Sequence, residues 1–332
     1  KAGFEGYIVG GCVRDVLRGV EPIDWDITTS ARPEKIRKIF PKSFYENKFL
    51  TVTVQTGSQK PTLKEIEVTT YRKETKYTDK RHPDEVKFAQ SIEEDLSRRD
   101  FTINAMASDP PEIIDPFDGQ KDLKKKIIRS VGNPNDRFSE DTLRMMRAVR
   151  LATVLGFKIE EKTEKAIKKN AVWIEAISKE RIRDEFLKIV INDNAAEGLD
   201  LLRKTGLLKY IIPEIEEGYG VSQNKHHIYD CYEHSLYSFK YAVKKGFNIY
   251  VRLASLLHDV GKIGVSDNIL LKPGKLTDEE WVEMKKHPDT GWKMIKGISF
   301  LGMGSELVLA HHERFDGKGY PRQLTGNEIY IG

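Results

Sequence analysis

Chain breakers are what most limit how this sequence can fold. Over its first 118 residues, Gly57, Pro61, Pro83 and the pair Pro110-Pro111 cut the chain into intervals mostly too short for repeated strand–helix–strand crossovers. Between them run short β-branched segments: Tyr7–Val9, Thr51–Thr56, Ile66–Thr70, Val86–Ala89 and Ile113–Asp115. The pattern predicts an α+β domain with a mostly antiparallel or mixed sheet. From about Asn133 to Gly220 the period turns helical, and Ser139 ahead of Glu140 and Asp141 reads as a capping signal. A third helical stretch from Val221 holds seven of the eight histidines. The chain of 332 residues thus divides into 1–132, 133–220 and 221–332, an α+β head followed by two all-α parts.

Composition excludes several classes. With 39% apolar and 32% charged residues the chain is neither disordered nor of low complexity. The longest apolar runs, such as Leu253–Leu257, fall far short of the roughly 18–20 residues a membrane span needs. Cys12 and Cys231 stand too far apart for a disulfide framework or a zinc motif, which points to a reducing cytoplasm. The chain opens without Met and without a basic-then-apolar leader, as the edge of a fragment would. Net charge is +4, yet Lys121–Arg150 alone carries nine cations and four acids, an excess of +5. Such a field favours a polyanion; a solvated helix face would look the same on charge alone.

Three clusters carry chemistry. Gly10-Gly11 follows a strand and opens a helix with Arg14 and Asp15, where backbone N–H groups can meet an anion, although Gly-Gly after a strand is usually just a turn. In Asp24-Trp25-Asp26-Ile27-Thr28, the period of two on a strand places both aspartates on one face and the tryptophan toward the core. Adjacent carboxylates repel unless a cation sits between them, and hard oxygen donors suit Mg²⁺; an acidic turn is the plain alternative. Glu67 on Ile66–Val68 offers a third carboxylate, and Arg98–Ala107 brings Arg99, Asp100 and Asn104.

Gly10–Asp15, Asp24-x-Asp26, Arg98–Ala107 and Glu140–Ala148 occur in order. Together they resemble the class II tRNA nucleotidyltransferase / poly(A) polymerase family over roughly residues 5–220. The resemblance implies a polymerase-β-like nucleotidyltransferase head and a helical neck. It implies that Asp24 and Asp26 hold Mg²⁺ with support from Glu67, and that Gly10, Gly11, Arg14 and Asp15 serve the triphosphate. Arg99, Asp100 and Asn104 match nucleotide and ribose contacts. Asp141 and Arg144 match a pair that reads the edge of the incoming base; three apart on a helix, they lie roughly 60° apart around its axis. Arg147 and Arg150 continue that row. Lys179–Val190 matches a neck helix, and Arg72–Pro83 falls where the family keeps a flexible loop. Leu50 departs from a glycine usual in the family.

His234, then His258-Asp259, then Lys262 form a plausible divalent-metal arrangement for phosphate-ester hydrolysis, although histidines are more often capped or solvated. Residues 225–260 resemble the HD phosphohydrolase superfamily, and from about Gly261 the chain is more similar to HD-GYP domains. The matching pieces are Lys272–Leu276, His287-Pro288, His311-His312-Glu313 and Gly319-Tyr320-Pro321. The resemblance implies an all-α HD domain with metal ligands His234, His258, Asp259, His287, His311 and His312, and Asp230 as an extra ligand. It implies a second divalent metal (Fe, Mn, Ni or Mg), and an incomplete site because Gly332 precedes the helix that usually adds a ligand.

The leading expectation is a Mg²⁺-dependent, template-independent nucleotidyltransferase that adds CMP and AMP from CTP and ATP to tRNA 3′ ends, in the cytoplasm and off the membrane. Two alternatives stand beside it: an HD-type metal-dependent phosphohydrolase or cyclic-nucleotide phosphodiesterase, and a non-catalytic tRNA-binding protein.

Overall fold

The computed structural model describes residues 2–46, 51–75, 85–220 and 229–330. The chain forms two compact units, Lys1–Ser178 and Lys179–Gly332.

The first unit is a mixed sheet with helices. Its elements begin β1 (Gly6–Val9), α1 (Gly11–Leu17), β2 (Asp26–Thr29), α2 (Pro33–Ile39), β3 (Ser43–Glu46), β4 (Thr51–Gln55), α3 (Pro61–Lys64) and β5 (Glu65–Thr70). β6 (Arg72–Thr75) and β7 (Glu85–Phe88) pair as a separate antiparallel sheet. Then come α4 (Ile92–Ser97), β8 (Ala107–Asp109), β9 (Glu112–Ile114), α5 (Gly119–Lys125), β10 (Ile127–Ile128), α6 (Pro134–Glu140), α7 (Arg144–Leu155), β11 (Lys158–Ile159) and α8 (Glu161–Asn170). Seven strands form the main sheet in the order β3-β4-β5-β2-β1-β8-β9. Its one parallel pair among the described residues, β2 with β5, sets Asp26 opposite Glu67. The expected α+β fold with a mixed sheet is therefore present.

Alternation along β4 and β5 separates core from site. Val52, Val54 and Val68 bury against Ile36 of α2 and Ala31, while Thr51, Thr53, Glu67 and Thr69 take the other face. A second cluster of Val9, Tyr71, Ile92, Leu96 and Ala107 holds α4 to the sheet. Burying such side chains is worth roughly 1.5–3 kcal/mol each.

The second unit is helical apart from one β-bridge, Asp316 with Thr325, among the described residues. It runs α9 (Lys179–Val190), α10 (Ala195–Lys204), α11 (Leu208–Ile211), α12 (Pro213–Glu217), α13 (Cys231–Lys244) and α14 (Ile249–Leu257). A 3₁₀ turn over Val260–Gly264 leads to α15 (Asp267–Leu270), α16 (Asp278–Met284), α17 (His287–Ile295) and α18 (Met303–Ala310). Buried Arg252 on α14 donates to the Val190 and Asn192 carbonyls at 3.0 and 3.1 Å, satisfying acceptors that the end of α9 leaves open.

Some local expectations fail for identifiable reasons. Ser139 is no cap: it lies inside α6, its hydroxyl donating to the Asp136 carbonyl. Asn133 caps α6 instead, with Pro134 at the first helical position. Asp24 lies in a bend after Pro22 and outside β2, which starts at Asp26, so the two aspartates do not share a strand face. Asp141 and Arg144 do not share a helix, since α6 ends before Asp141 and α7 begins at Arg144. Leu50 and most of the Arg72–Pro83 segment lie outside the described residues.

Candidate active sites

In the first unit, Asp26, Glu67, Thr51, Thr53, Thr69, Arg72, Arg98 and Arg99 line a cleft of about 390 Å³. Burial raises the pKa of Asp26 and the charge of Asp24 adds to that, while Arg99 pulls the other way. Asp24 is exposed and is not part of the lining, yet it acts on Asp26 electrostatically. Gly10 is what lets the cations come so close. Its φ of 85° suits glycine, and a Cβ there would stand 2.9 Å from Arg99 Nη1 and 3.8 Å from Asp26 Oδ2.

Asp95, which the sequence reading passed over, organises this wall. Fully buried on α4, it pairs with Arg98 at 2.9 Å and Arg99 at 3.5 Å, and accepts the Arg72 N–H and the Thr28 hydroxyl at 3.2 and 3.3 Å. Burial disfavours its charge, but Arg98 and Arg99 outweigh that and hold its pKa down. Its spacing of three and four residues before the two arginines was the available signal.

Among the remaining predicted nucleotide contacts, Asp15, Arg14, Asn104, Asp100 and Arg147 form a connected chain. Gly10 precedes α1 and Gly11 opens it. Arg14 bonds both oxygens of Asp15 at 2.9 and 2.8 Å and donates to Asn104 Oδ1 at 2.8 Å. Asn104 in turn donates to Asp100 Oδ1 at 3.2 Å, and Arg147 grips Asp100 Oδ2 at 2.6 Å. Burial would raise the Asp100 pKa, but Arg147 and then Arg144 hold it at about 2. Arg144 is buried and bonds Glu140 at 2.6 Å and the Arg98 carbonyl at 3.0 Å. The Asp141 carboxylate accepts the Leu143 N–H at 3.1 Å, marking the entry to α7. Arg150 follows Arg147 by one turn of α7 and is half-buried.

In the second unit, one carboxylate gathers the histidines. Asp259 Oδ2 lies 3.4 Å from His234 Nε2, 3.3 Å from His258 Nε2 and 2.9 Å from Lys262 Nζ. Its other oxygen lies 3.5 Å from His287 Nε2 and 4.0 Å from His311 Nε2. Two triads with metal-binding spacing result: His234, His258 and Asp259, and His287, His311 and His312. His258, His287 and His311 each set Nδ1 against a backbone carbonyl three residues back, at 3.0, 2.8 and 2.6 Å. A carbonyl only accepts, so Nδ1 carries the proton and the Nε2 lone pair faces the centre. These carbonyls belong to the last turns of α14, α16 and α18, where helices leave acceptors open.

Burial lowers the pKa of His287, and takes His311 down to about 3 and His312 to about 4, keeping the imidazoles neutral. Gly261 allows the approach: a Cβ there would fall 2.0 Å from the His287 carbonyl oxygen, so the 3₁₀ turn after Asp259 lies directly on the start of α17. Asp230 is not brought to the centre. It caps α13, accepting the Glu233 and Gly220 N–H groups at 2.6 and 2.8 Å. His226 and His227 lie outside the described residues.

A mixed-sheet head with a carboxylate–arginine cleft, joined in one chain to a helical unit with a histidine–aspartate centre, defines a nucleotidyltransferase-type protein carrying an HD domain. Family models agree. The Poly A polymerase head domain matches residues 6–129, the "probable RNA and SrmB-binding site of polymerase A" matches 156–218, and an HD domain matches 238–332. The CCA-adding enzyme of Ligilactobacillus salivarius is 50% identical over 217 residues, which is 63% of this chain and 51% of that enzyme. That of Lactococcus lactis is 48% identical over 217 residues, 65% of this chain and 54% of the relative. The crystal structure of the Bacillus stearothermophilus CCA-adding enzyme in complex with CTP is similar with a TM-score of 0.60 and 33% identity. It covers 93% of this chain and 74% of the other. The chain belongs to the tRNA nucleotidyltransferase / poly(A) polymerase family, that of the CCA-adding enzymes. It spans about half the length of the curated relatives it matches. Both the head and the HD match imply dependence on a divalent metal. No helix among the described residues is long and apolar enough to cross a membrane.

Proposed function

We propose that this chain is a template-independent nucleotidyltransferase of the cytoplasm that adds CMP and AMP, from CTP and ATP, to tRNA 3′ ends. The observation that carries this reading is Asp26 facing Glu67 across the parallel strand pair, in a cleft walled by Arg72, Arg98 and Arg99. Support comes from the relatives, which are named CCA-adding enzymes. The three-part division into head (1–132), neck (133–220) and HD domain (221–332) is proposed with it, supported by the spans of the family matches.

The donor set fits Mg²⁺. Hard carboxylate oxygens with a partly desolvated, like-charged neighbour gain from a cation, and the raised Asp26 pKa reports that need. Asp24 and Asp26 would hold it, Glu67 supporting them; bound there, Mg²⁺ would polarise the 3′-hydroxyl and neutralise triphosphate charge. The chain's own groups supply position. Arg99, fixed by Asp95, and Arg14, fixed by Asp15 and Asn104, present cations to the phosphates. Gly10 and Gly11 leave the backbone open to them. Asp100 and Asn104 set the ribose side, and Asp141 with Arg144 reads the base once their local bonds yield to it, with Arg147 and Arg150 alongside. Incubation with CCA-lacking tRNA, CTP, ATP and Mg²⁺ tests the reading; folded protein that extends nothing overturns it.

A second reading concerns the HD unit and rests on the shared Asp259. An imidazole-rich donor set, three of its rings oriented by carbonyls, suits a divalent transition ion such as Fe, Mn or Ni, with Mg less favoured. His234, His258, Asp259, His287, His311 and His312 would hold it for phosphate-ester hydrolysis, as a side activity of the same protein. Metal analysis and turnover of cyclic di-GMP or a 2′,3′-cyclic phosphate test it. A chain without bound metal or turnover rejects it.

A further inference from the structure

Several lysines on the helices of this protein pair with an acid one turn away. Lys165 pairs with Glu161 at 2.5 Å, Lys168 with Glu164 at 2.6 Å, Lys204 with Asp200 at 2.6 Å and Lys293 with Asp289 at 2.5 Å. α13 breaks that habit. No acidic residue occurs between Glu233 and Asp259, and the carboxylate of Glu233 is spent on the backbone of its own capping box.

After its first turn, where Glu233 is exposed, α13 exposes Tyr237, Lys240, Tyr241 and Lys244, spaced i, i+3, i+4 and i+7, so they form one stripe. The opposite face buries Tyr232, Ser235, Phe239, Ala242 and Val243. Tyr237 is 49% exposed and Tyr241 59%, a large aromatic area to leave in water. Tyr229 extends the platform, its ring 4.4 Å from that of Tyr237, and Lys245 sits 5.5 Å from the Tyr241 ring. Lys240 and Lys244 have no hydrogen-bond or ion-pair partner among the described residues. Stacking faces interleaved with unneutralised cations are what a single nucleic-acid strand needs: rings for bases of any identity, ammonium groups for phosphates. An acidic peptide would use the lysines but leave the rings idle. The stripe also points somewhere. His234 lies on the same side of the helix, seven residues before Tyr241 and so about 10 Å along the axis.

We infer that the exposed face of α13 is a track for a single RNA strand, with bases on Tyr237 and Tyr241 and phosphates on Lys240, Lys244 and Lys245, running toward the histidine centre. This rests on the reading of the protein as one that handles RNA, and it extends that reading to the second unit. The test is lysine footprinting of the intact chain with an amine-acylating reagent, with and without a short oligoadenylate. Lys240 and Lys244 should be protected while the paired Lys293 reacts as before. Tyr241→Ala should weaken oligonucleotide binding on the order of 10-fold. Lys240→Gln with Lys244→Gln should flatten the salt dependence by about 0.7 per lysine in log–log slope. Unchanged labelling of Lys240 and Lys244 overturns the proposal, and so does equal protection by polyglutamate. Because footprinting needs no turnover, a chain that fails to extend tRNA yet shows the protection would reject nucleotide addition and keep the track. The converse would reject only the track.

Discussion

In the first unit, carboxylates and arginines face one another across an open cleft; in the second, one carboxylate stands within 4.0 Å of four histidines. The cleft sets Asp26 and Glu67 among arginines, of which Arg98 and Arg99 pair with a buried acid, Asp95. The histidine centre keeps His287, His311 and His312 neutral by burial, and backbone carbonyls at helix ends orient His258, His287 and His311. A charged wall suits ligands that arrive and leave with the substrate. Neutral, pre-aimed nitrogens suit an ion that stays. The two regions therefore differ in what holds them together before any ligand binds.

The largest effect should come from the cleft. Asp26→Asn removes the carboxylate opposite Glu67 and should cut nucleotide incorporation on the order of 10³-fold or more. Circular dichroism and the melting temperature should stay near those of the parent, because burial already disfavours the Asp26 charge. Parent-like incorporation would break the contrast at its first term. Next is Asp95→Asn, which leaves Arg98 and Arg99 around a neutral amide. It should cost about 3 kcal/mol in urea unfolding, the scale of a broken buried ion pair. A change within error would mean that the arginines are held from elsewhere. Asp259→Asn should weaken metal retention about 100-fold, read by metal content after dialysis. Tested in parallel, nucleotide incorporation should be unaffected, and a coupled loss would show that the two centres are not separate.

Much of this was legible in the sequence, for reasons that also explain the failures. Strand periodicity located β1, β4, β5 and β9 to within a residue, because β-branched alternation and prolines act locally. The ordered motifs pointed to the cleft and the HD resemblance to the histidine centre, and Asp26, Glu67 and Arg99 converge as one group and the six HD residues as another. What escaped depends on tertiary pairing. Asp24 fell off β2 because a strand starts where its partners do, and the antiparallel neighbour β1 ends at Val9, the position in register with Asp26. Ser139, expected as a cap, sits inside a helix, and Asp230, expected as an extra metal ligand, is a cap, because capping is decided by which turn the chain enters. Asp95 carries no motif; only its spacing to Arg98 and Arg99 betrays it. The carbonyls that aim the imidazoles are backbone, and no side-chain pattern announces them.

The smallest predicted effect probes how the head's charges respond to acid. The Asp100 carboxylate has a pKa of about 2 in the folded protein, against roughly 3.9 when unfolded. A depressed folded value means that the folded state binds its proton later, so the stabilisation is present above pH 4 and is lost as the pH falls toward 2. The amount is about 2 kcal/mol at neutral pH. Asp100→Asn should remove that dependence: parent and variant should differ most in urea midpoint near pH 7 and converge near pH 2. The link is Arg147, 2.6 Å away, which ties α7 to the segment carrying Asp100 and Asn104. If the two proteins kept a constant gap from pH 7 to pH 2, the Arg147 contact would be packing rather than an ion pair. The cleft would then owe its order to Asp95 alone, closer to the single-carboxylate plan of the histidine centre.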